Sequence, residues 1–277
     1  MNLQIKYLCR WALLLNVFTA CSAFSSEDAA LALKEYGVGL LFSKVPDYRG
    51  TKHLNQFIIP FPYIIYRGKV LDVDDEGVKG IIYKSDLLEL DLGYAGTLPV
   101  LSKNIEVREG MEDLDPTAQV GPQVKIFHLD HENLRIETRT PLRLVVSFGT
   151  EKLAYQGWVF DPYILVQFKT KAKNFDLSWS HFFGPIYASQ EFHAFYYDVN
   201  AQDANTERPV YRSQAGYSGY KYTSNLTGWK DHWGYGFFFR YDSMRSAIFR
   251  DSPLVETHVN LTGGFGLIYL FYSESKF

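Results

Sequence analysis

The last stretch of the chain, Val255 to Phe277, alternates between two kinds of residue with a period of two. Counted from Val259, one parity is apolar or aromatic at nearly every position as far as Phe271. The intervening positions are small or polar in the first half of the stretch. Successive side chains of a β-strand point to opposite faces, so this pattern predicts a strand whose two faces meet unlike surroundings.

The apolar parity of this stretch continues through Ser273 and Ser275 and ends at Phe277. A terminal aromatic strand of this kind resembles the closing strand of bacterial outer-membrane barrels, in which one face meets lipid and the other a polar interior. A strand of a soluble β-sandwich is the alternative for this stretch taken alone.

Segments of alternating hydrophobicity recur from Leu31 onward, separated by clusters of Gly, Pro, Asn and Asp. They predict an all-β fold, a single antiparallel transmembrane β-barrel of about twelve strands, with ten to fourteen compatible with the pattern. In residues 69–84, the Asp74 to Gly77 stretch fits either a turn between two short strands or a bulge in one long strand; counted as one strand, it gives twelve. The predicted strands are 31–42, 56–66, 69–84, 88–94, 120–127, 134–148, 156–169, 175–182, 191–198, 211–225, 233–241 and the last stretch.

The clearest alternation, Leu134 to Phe148, collects arginines and a glutamate on one face. An arginine that faces lipid at mid-depth costs about 2 to 4 kcal/mol, so in a membrane this face must line the interior. The candidate lumen-lining residues, with similar positions on other strands, are Glu89, Asp91, Arg135, Glu137, Arg139, Arg143 and Arg240.

The N-terminus has the form of a secretory leader, with Lys6 and Arg10 before the apolar run Trp11 to Ala20. That run is too short to span a bilayer, and small residues follow it. We therefore expect residues 1–23 to be a signal peptide and residues 24–277 to form an outer-membrane barrel. Acylation of Cys21 as a lipoprotein is the alternative.

Composition narrows the function. The formal net charge is −3 at pH 7, which gives no electrostatic basis for binding nucleic acid. Both cysteines lie within the predicted leader, so the mature protein offers no thiolate nucleophile, cysteine metal site or disulfide. We predict no cofactor, no metal and no catalytic residue.

With twelve strands and both termini in the periplasm, the connections alternate between the two ends of the barrel. The longer connections 43–53, 200–209 and 242–258 then face outward. The segment Thr97 to Gln119 is the exception, because this register places a long connection on the periplasmic side, where a partner protein has access to it.

Several short motifs resemble the MipA/OmpV family of outer-membrane proteins. They are Tyr36-Gly37-Val38-Gly39, Pro46 to Gly50, Pro60-Phe61-Pro62, Tyr66-Arg67-Gly68, Leu92-Gly93-Tyr94 and Arg108-Glu109-Gly110-Met111-Glu112-Asp113. The resemblance implies a barrel embedded in outer-membrane lipid. For one branch it also implies a scaffold that joins a lytic transglycosylase to a murein synthase. No catalytic residues are assigned to the family. Together with the register, it makes Arg108 to Asp113 the candidate periplasmic contact.

Other chemistry fits the residues less well. Asp72, Asp74 and Glu76 imitate the start of a calcium loop, but Tyr83 stands where a bidentate Glu is required. The cluster from His128 to Glu132 offers metal ligands on a predicted outward turn. Two rivals to a non-enzymatic scaffold in the cell envelope remain: a small channel for anionic or sugar solutes, and a lipid hydrolase using Ser218.

Overall fold

Thirteen β-strands follow one another along the chain, and each is antiparallel to its neighbours in the sheet. The computed structural model describes residues 32–67, 71–74, 77–149, 153–172 and 175–275. The predicted leader, Cys21, Phe277 and residues 75 and 76 of the calcium-like turn lie outside the described residues. The strands are β1 Ala32–Pro46, β2 Leu54–Arg67, β3 Leu71–Asp74, β4 Gly77–Lys84, β5 Leu88–Thr97, β6 Thr117–His131, β7 Leu134–Phe148, β8 Leu153–Phe160, β9 Tyr163–Ala172, β10 Phe175–Ala188, β11 Gly216–Lys230, β12 Trp233–Ser243 and β13 Val259–Ser275.

The sheet closes into a barrel, as the alternation predicts. β13 pairs with β1, and β10 pairs with β11, so the order of neighbours returns to its start. β8 and β9 both pair with β7 and are separated only by Asp161 and Pro162. They are therefore two halves of one strand, and the barrel has twelve antiparallel strands.

The count of twelve is confirmed although two of the elements counted differ from the structure, because the two differences cancel. Residues 69–84 contain two paired strands, β3 and β4, rather than one. Residues 191–198 are not a strand, because helix α1 (Gln190–Tyr197) occupies them. The Ser189 side chain accepts a hydrogen bond from the Phe192 backbone N–H and caps this helix. Two short 3₁₀ helices, Ser102–Asn104 and Glu106–Arg108, lie between β5 and β6.

The extra strand reverses the direction of the chain from β4 onward, and this corrects the predicted location of one segment. Connections 47–53, 98–116, 189–215 and 244–258 lie at one end, which we call the long-loop end. Connections 85–87, 132–133 and 231–232 lie at the other, the short-turn end, with both ends of the described chain. Residues 97–119 were expected beside the termini, and the structure places them at the opposite end. The turn at His128 to Glu132 moves to the short-turn end for the same reason.

The outer face of the barrel is an apolar belt. Large apolar side chains stand exposed at alternate positions around it, including Val38, Ile58, Leu92, Leu144, Phe237 and Leu261. A band of this kind on a closed sheet matches the lipid-facing surface of a transmembrane barrel. Within the described ranges, no helix is both long and apolar enough to cross a bilayer.

The long-loop end is covered by a layer of packed loops, which we call the cap: residues 47–53, 98–116, 190–197 and 244–255. Its buried side chains form one cluster, and the rings of Tyr197 and Phe249 stack with centroids 3.7 Å apart. The Tyr48 hydroxyl donates to the Leu254 carbonyl at 2.8 Å. Burial raises the pKa of the Tyr48 hydroxyl, which keeps this donor protonated. The members of the cluster are Tyr48, Val100, Ile105, Leu114, Tyr196, Tyr197, Met244, Ala247 and Phe249.

The β1–β13 seam depends on a glycine in the first motif of the sequence. A β-carbon at Gly37 would lie 2.6 Å from the Tyr269 carbonyl oxygen on β13, where backbone must give way. We expect Gly37→Val to destabilise the barrel by about 1 to 3 kcal/mol, the usual cost of overpacking. The measurement is the urea midpoint followed by the heat-modifiable gel mobility of the folded barrel.

Gly263→Val on β13 is the matched control. Its β-carbon would find nothing nearer than the Phe238 carbonyl oxygen at 3.5 Å. Equal midpoints for the two variants would contradict this account of the seam.

Candidate functional site

All seven residues expected to line the lumen lie on the inner face of the barrel, and they fall into groups with opposite charges. Lys125 on β6 places its ammonium 2.8 Å from both Glu89 and Asp91 on β5. Glu137 lies between Arg135 and Arg139 on the same strand, with the Arg135 Nε 3.3 Å from its carboxylate. Paired charges of this kind are the condition on which ionised groups can be buried.

Two further groups surround one carboxylate with two cations. Asp161, in the break between β8 and β9, binds Arg143 at 2.6 Å and also contacts the Lys221 ammonium. Asp242 accepts two hydrogen bonds from Arg240, at 2.6 and 2.8 Å, and one from Arg49 at 3.0 Å. Each of these groups therefore carries one excess positive charge.

Sequence reasoning missed four of these six residues. Lys221 and Asp242 lie at inward positions of alternating strands, so the period of two already contained the signal for them. Asp161 interrupts a strand, and Arg49 lies on a loop. Nothing local places either residue at the interior wall.

A cavity of about 710 Å³ lies between these groups and the cap. Its polar lining includes Arg49, Arg143, Lys221 and Arg240. Its apolar lining includes Leu41, Phe57 and Ile59, which come from β1 and β2. Arg139 and the carboxylates of Asp47, Asp91, Asp161 and Asp242 line it as well, so five cations face four carboxylates. The charged wall thus has a small positive excess, and another wall is apolar.

Toward the short-turn end, apolar side chains fill the lumen instead. Phe61, Tyr63 and Ile65 of β2 pack with Trp229 and Leu270 in one buried cluster. The Tyr63 and Trp229 ring centroids are 5.6 Å apart. The cap and this cluster therefore bound the cavity at its two ends.

The segment Arg108 to Asp113 belongs to the cap at the long-loop end. The Arg108 side chain is only 3% exposed. Its guanidinium donates to the Tyr196 carbonyl and the Ser102 hydroxyl, both at 3.2 Å, and to the Glu112 carbonyl at 3.3 Å. Glu109, Gly110, Glu112 and Asp113 are exposed, and Met111 is partly buried. Arg108 therefore ties the 98–116 loop to helix α1, and the segment lies at the end of the barrel opposite the ends of the described chain, not beside them as expected.

The structure brings Ser218 together with a histidine, as the hydrolase rival requires. His193 Nε2 lies 2.6 Å from the Ser218 hydroxyl, and Nδ1 lies 2.6 Å from the Gln214 carbonyl oxygen. A carbonyl only accepts, so Nδ1 carries the proton and Nε2 accepts from the serine. This is the geometry of a nucleophile beside its base.

Burial argues for a structural role for this pair. His193 is 0% and Ser218 is 1% exposed, and neither lines the cavity. The pair therefore attaches helix α1 to β11. In the part of the chain that the structure describes, no three His, Cys, Asp or Glu side chains converge as metal ligands, and this includes the residues around His128.

Removing the Arg108 side chain tests the cap. Each hydrogen bond to a charged group contributes about 1.5 to 3 kcal/mol, and Arg108 makes three. We expect Arg108→Ala to open the cap to protease in detergent-solubilised protein, giving a nicked barrel that stays associated until it is denatured and then separates into fragments cut within 98–116. Glu109→Ala, next to it and exposed, is expected to digest like the wild type. Identical digestion of the two variants would refute the role given to Arg108.

The His193 contact predicts a pH dependence of the cap. Burial lowers the pKa of His193 below its ordinary value of about 6.5, and the positive charge of Arg49 lowers it further, against the hydrogen bond to the Gln214 carbonyl. The stabilising contribution is therefore complete above about pH 6.5 and is lost as the pH falls through the lower folded-state pKa. The protection of cap amides against hydrogen exchange, taken relative to the rate of an unstructured chain at each pH, is expected to fall on acidification more in the wild type than in His193→Gln. A slope unchanged by this substitution would exclude the histidine as the cause.

Several solved structures are similar to this chain at low sequence identity. Among solved structures, a bacterial polysaccharide outer membrane secretin is similar, at 8% identity over 86% of this chain and 99% of that chain, with a TM-score of 0.39. The outer membrane protease OmpT from Escherichia coli is similar at 9% identity over 86% and 93%, with a TM-score of 0.30. The outer membrane protein OprG from Pseudomonas aeruginosa gives 10% identity over 87% and 97%, with a TM-score of 0.25.

No curated protein matches the chain. A family model described as MltA-interacting protein MipA matches residues 37–271, which include every strand from β2 to β12 and most of β1 and β13. The chain therefore belongs to the MipA family and is a β-barrel of the bacterial outer membrane.

Proposed function

We propose that this barrel is a non-enzymatic scaffold for peptidoglycan machinery, which binds a lytic transglycosylase and, through it or beside it, a murein synthase. The observation that carries the proposal is the family match over residues 37–271, because the family's description names an MltA-interacting protein. The partners of this chain are inferred from that description.

The geometry limits where such partners bind. Outer-membrane barrels place short turns in the periplasm and long loops outside. Peptidoglycan enzymes act in the periplasm, so they meet the short-turn end. The segment Arg108 to Asp113 lies at the other end, so a different surface must contact these enzymes.

Two adjacent turns at the short-turn end offer a contact surface, which we call the rim: residues 85–87 and 128–133. The Phe127 backbone N–H donates to the Leu87 carbonyl at 3.0 Å, so these turns lie side by side. Leu87 is 71% exposed, and Asp86, Asp130 and Glu132 around it are exposed as well. An apolar side chain surrounded by carboxylates suits a partner whose surface pairs a small apolar pocket with basic residues.

The channel rival has weaker support. The cap covers the long-loop end, and the cluster around Tyr63 and Trp229 fills the lumen toward the other. For the hydrolase rival, the Ser218 hydroxyl lies within the protein, away from the cavity.

Site-specific photo-crosslinking distinguishes the two ends. A photoreactive phenylalanine analogue at Leu87, in intact cells, is expected to capture a lytic transglycosylase in the periplasm. The same analogue at Glu109 in the cap is the matched control, and we expect no such product from it. Capture from Glu109 but not from Leu87 would overturn the assignment of the rim, and capture from neither position would count against the scaffold itself.

A further inference from the structure

The wall of the barrel has an opening between β2 and β5. β2 pairs with β1 along its whole length, but it pairs with β3 only at Tyr66 and Arg67. On the other side, β5 pairs with β4 only between Glu89 and Leu92. Among the described residues, therefore, 54–65 of β2 pair only with β1, and 93–97 of β5 pair only with β6. The other edge of each of these segments has no neighbouring strand. The five residues of β5 correspond to roughly 17 Å of strand.

This opening lies within the apolar belt. Ile58 and Ile64 project outward beside it and are 67% and 46% exposed. Open sheet edges are costly in lipid because unpaired N–H groups find no acceptor there. Pro60 and Pro62 have no N–H, which lowers that cost along this stretch of β2.

The cavity borders the strands on both sides of the opening. Its lining includes every residue of β5 from Asp91 to Thr97. Gly93 and Ala95 lie at inward positions of the strand, whereas Leu92 and Tyr94 lie at outward positions. On β2 the cavity meets only the inward positions Asn55, Phe57 and Ile59, whereas on β5 it meets both sets of positions, so it reaches the backbone of β5 beside the opening.

The chemistry of the cavity changes from one side to the other. Near the opening, Phe57 and Ile59 of β2 provide an apolar wall. Away from it lie the two groups centred on Asp161 and Asp242, each with an excess positive charge. In addition, Arg49 Nη2 is buried and has no hydrogen-bond partner among the described residues. An anionic head with an apolar tail matches this arrangement.

We propose that the cavity binds a single-chain amphiphile with a carboxylate head, which enters from the outer leaflet through the opening between β2 and β5. A volume of 710 Å³ lies within the range of about 300 to 1,000 Å³ of small-molecule sites. The head contacts Arg49, and the chain follows Phe57 and Ile59 to the opening. This binding site is independent of the scaffold function, because it lies at the other end of the filled lumen.

The experiment uses the full barrel in detergent with a sixteen-carbon fatty acid that carries a photoreactive group at its tail, and the matching alcohol as the neutral probe. Gly93→Phe places a ring in the cavity beside the opening, since the position is inward and a β-carbon there meets only the Gln123 side chain at 3.7 Å. Gly263→Phe, at an outward position of β13, is its control. Arg49→Gln removes one cation while Arg240 still binds Asp242 twice. Heat-modifiable gel mobility confirms that each variant is folded.

The fatty acid is expected to label the wild type and Gly263→Phe to the same extent, with the labelled residues on β2 or β5. Labelling of Gly93→Phe is expected to be at least ten-fold lower. Arg49→Gln is expected to weaken binding of the acid by about ten-fold, as loss of a charge-assisted hydrogen bond does, and to leave the alcohol unchanged. Equal labelling of Gly93→Phe and the wild type, or equal affinity for the acid and the alcohol, would each overturn the proposal.

Discussion

Backbone hydrogen bonding in lipid is the constraint on which this fold depends. Each strand in the apolar belt must find a partner on both edges, because the bilayer interior offers no water to replace one. At the seam, β1 and β13 meet this requirement because their backbones approach closely. The space between Gly37 and the Tyr269 carbonyl is too small for a side chain. The same constraint makes the unpaired edges of β2 and β5 informative. A feature that costs free energy in lipid requires a compensating cause, and two prolines reduce the cost at one of these edges.

Closing the sheet also determines what the interior contains. Alternate residues of every strand face a narrow lumen, and charged residues there must be paired. The ion pairs of Glu137 and Lys125 join residues of the same strand or of neighbouring strands. Those of Asp161 and Asp242 join distant parts of the chain. The contact of Arg49 with Asp242 is one such link, because it couples the first loop of the cap to the wall at β12. The cap and the lumen are therefore one electrostatic unit rather than a barrel with separate loops.

The period of two was sufficient to predict the barrel, since that signal is repeated along each strand. It failed where the signal is local and short. β3 has four residues, and a turn at Asp74 to Gly77 looks the same in sequence as a bulge. Helix α1 is rich in aromatic residues, which favour strands, and its cap at Ser189 carries little weight beside them. The wrong count before β5 then reversed the predicted end for residues 97–119, so an error of four residues relocated a segment across the membrane.

Contacts between distant residues were beyond sequence reasoning. Ser218 lies between Gly216 and Gly219, but nothing in the sequence pairs it with His193, which the pattern assigns to a strand. The pairing depends on α1 folding back over β11, and it could be found only in three dimensions. It also shows why a dyad by itself does not establish catalysis. The distances suit a nucleophile and its base, yet the hydroxyl is buried away from the cavity. The contact therefore stabilises the packing of the cap on the barrel. Access of a ligand is thus the criterion for a binding site. The cavity meets it in our proposal, because unpaired strand edges border it and cations are in excess in its lining.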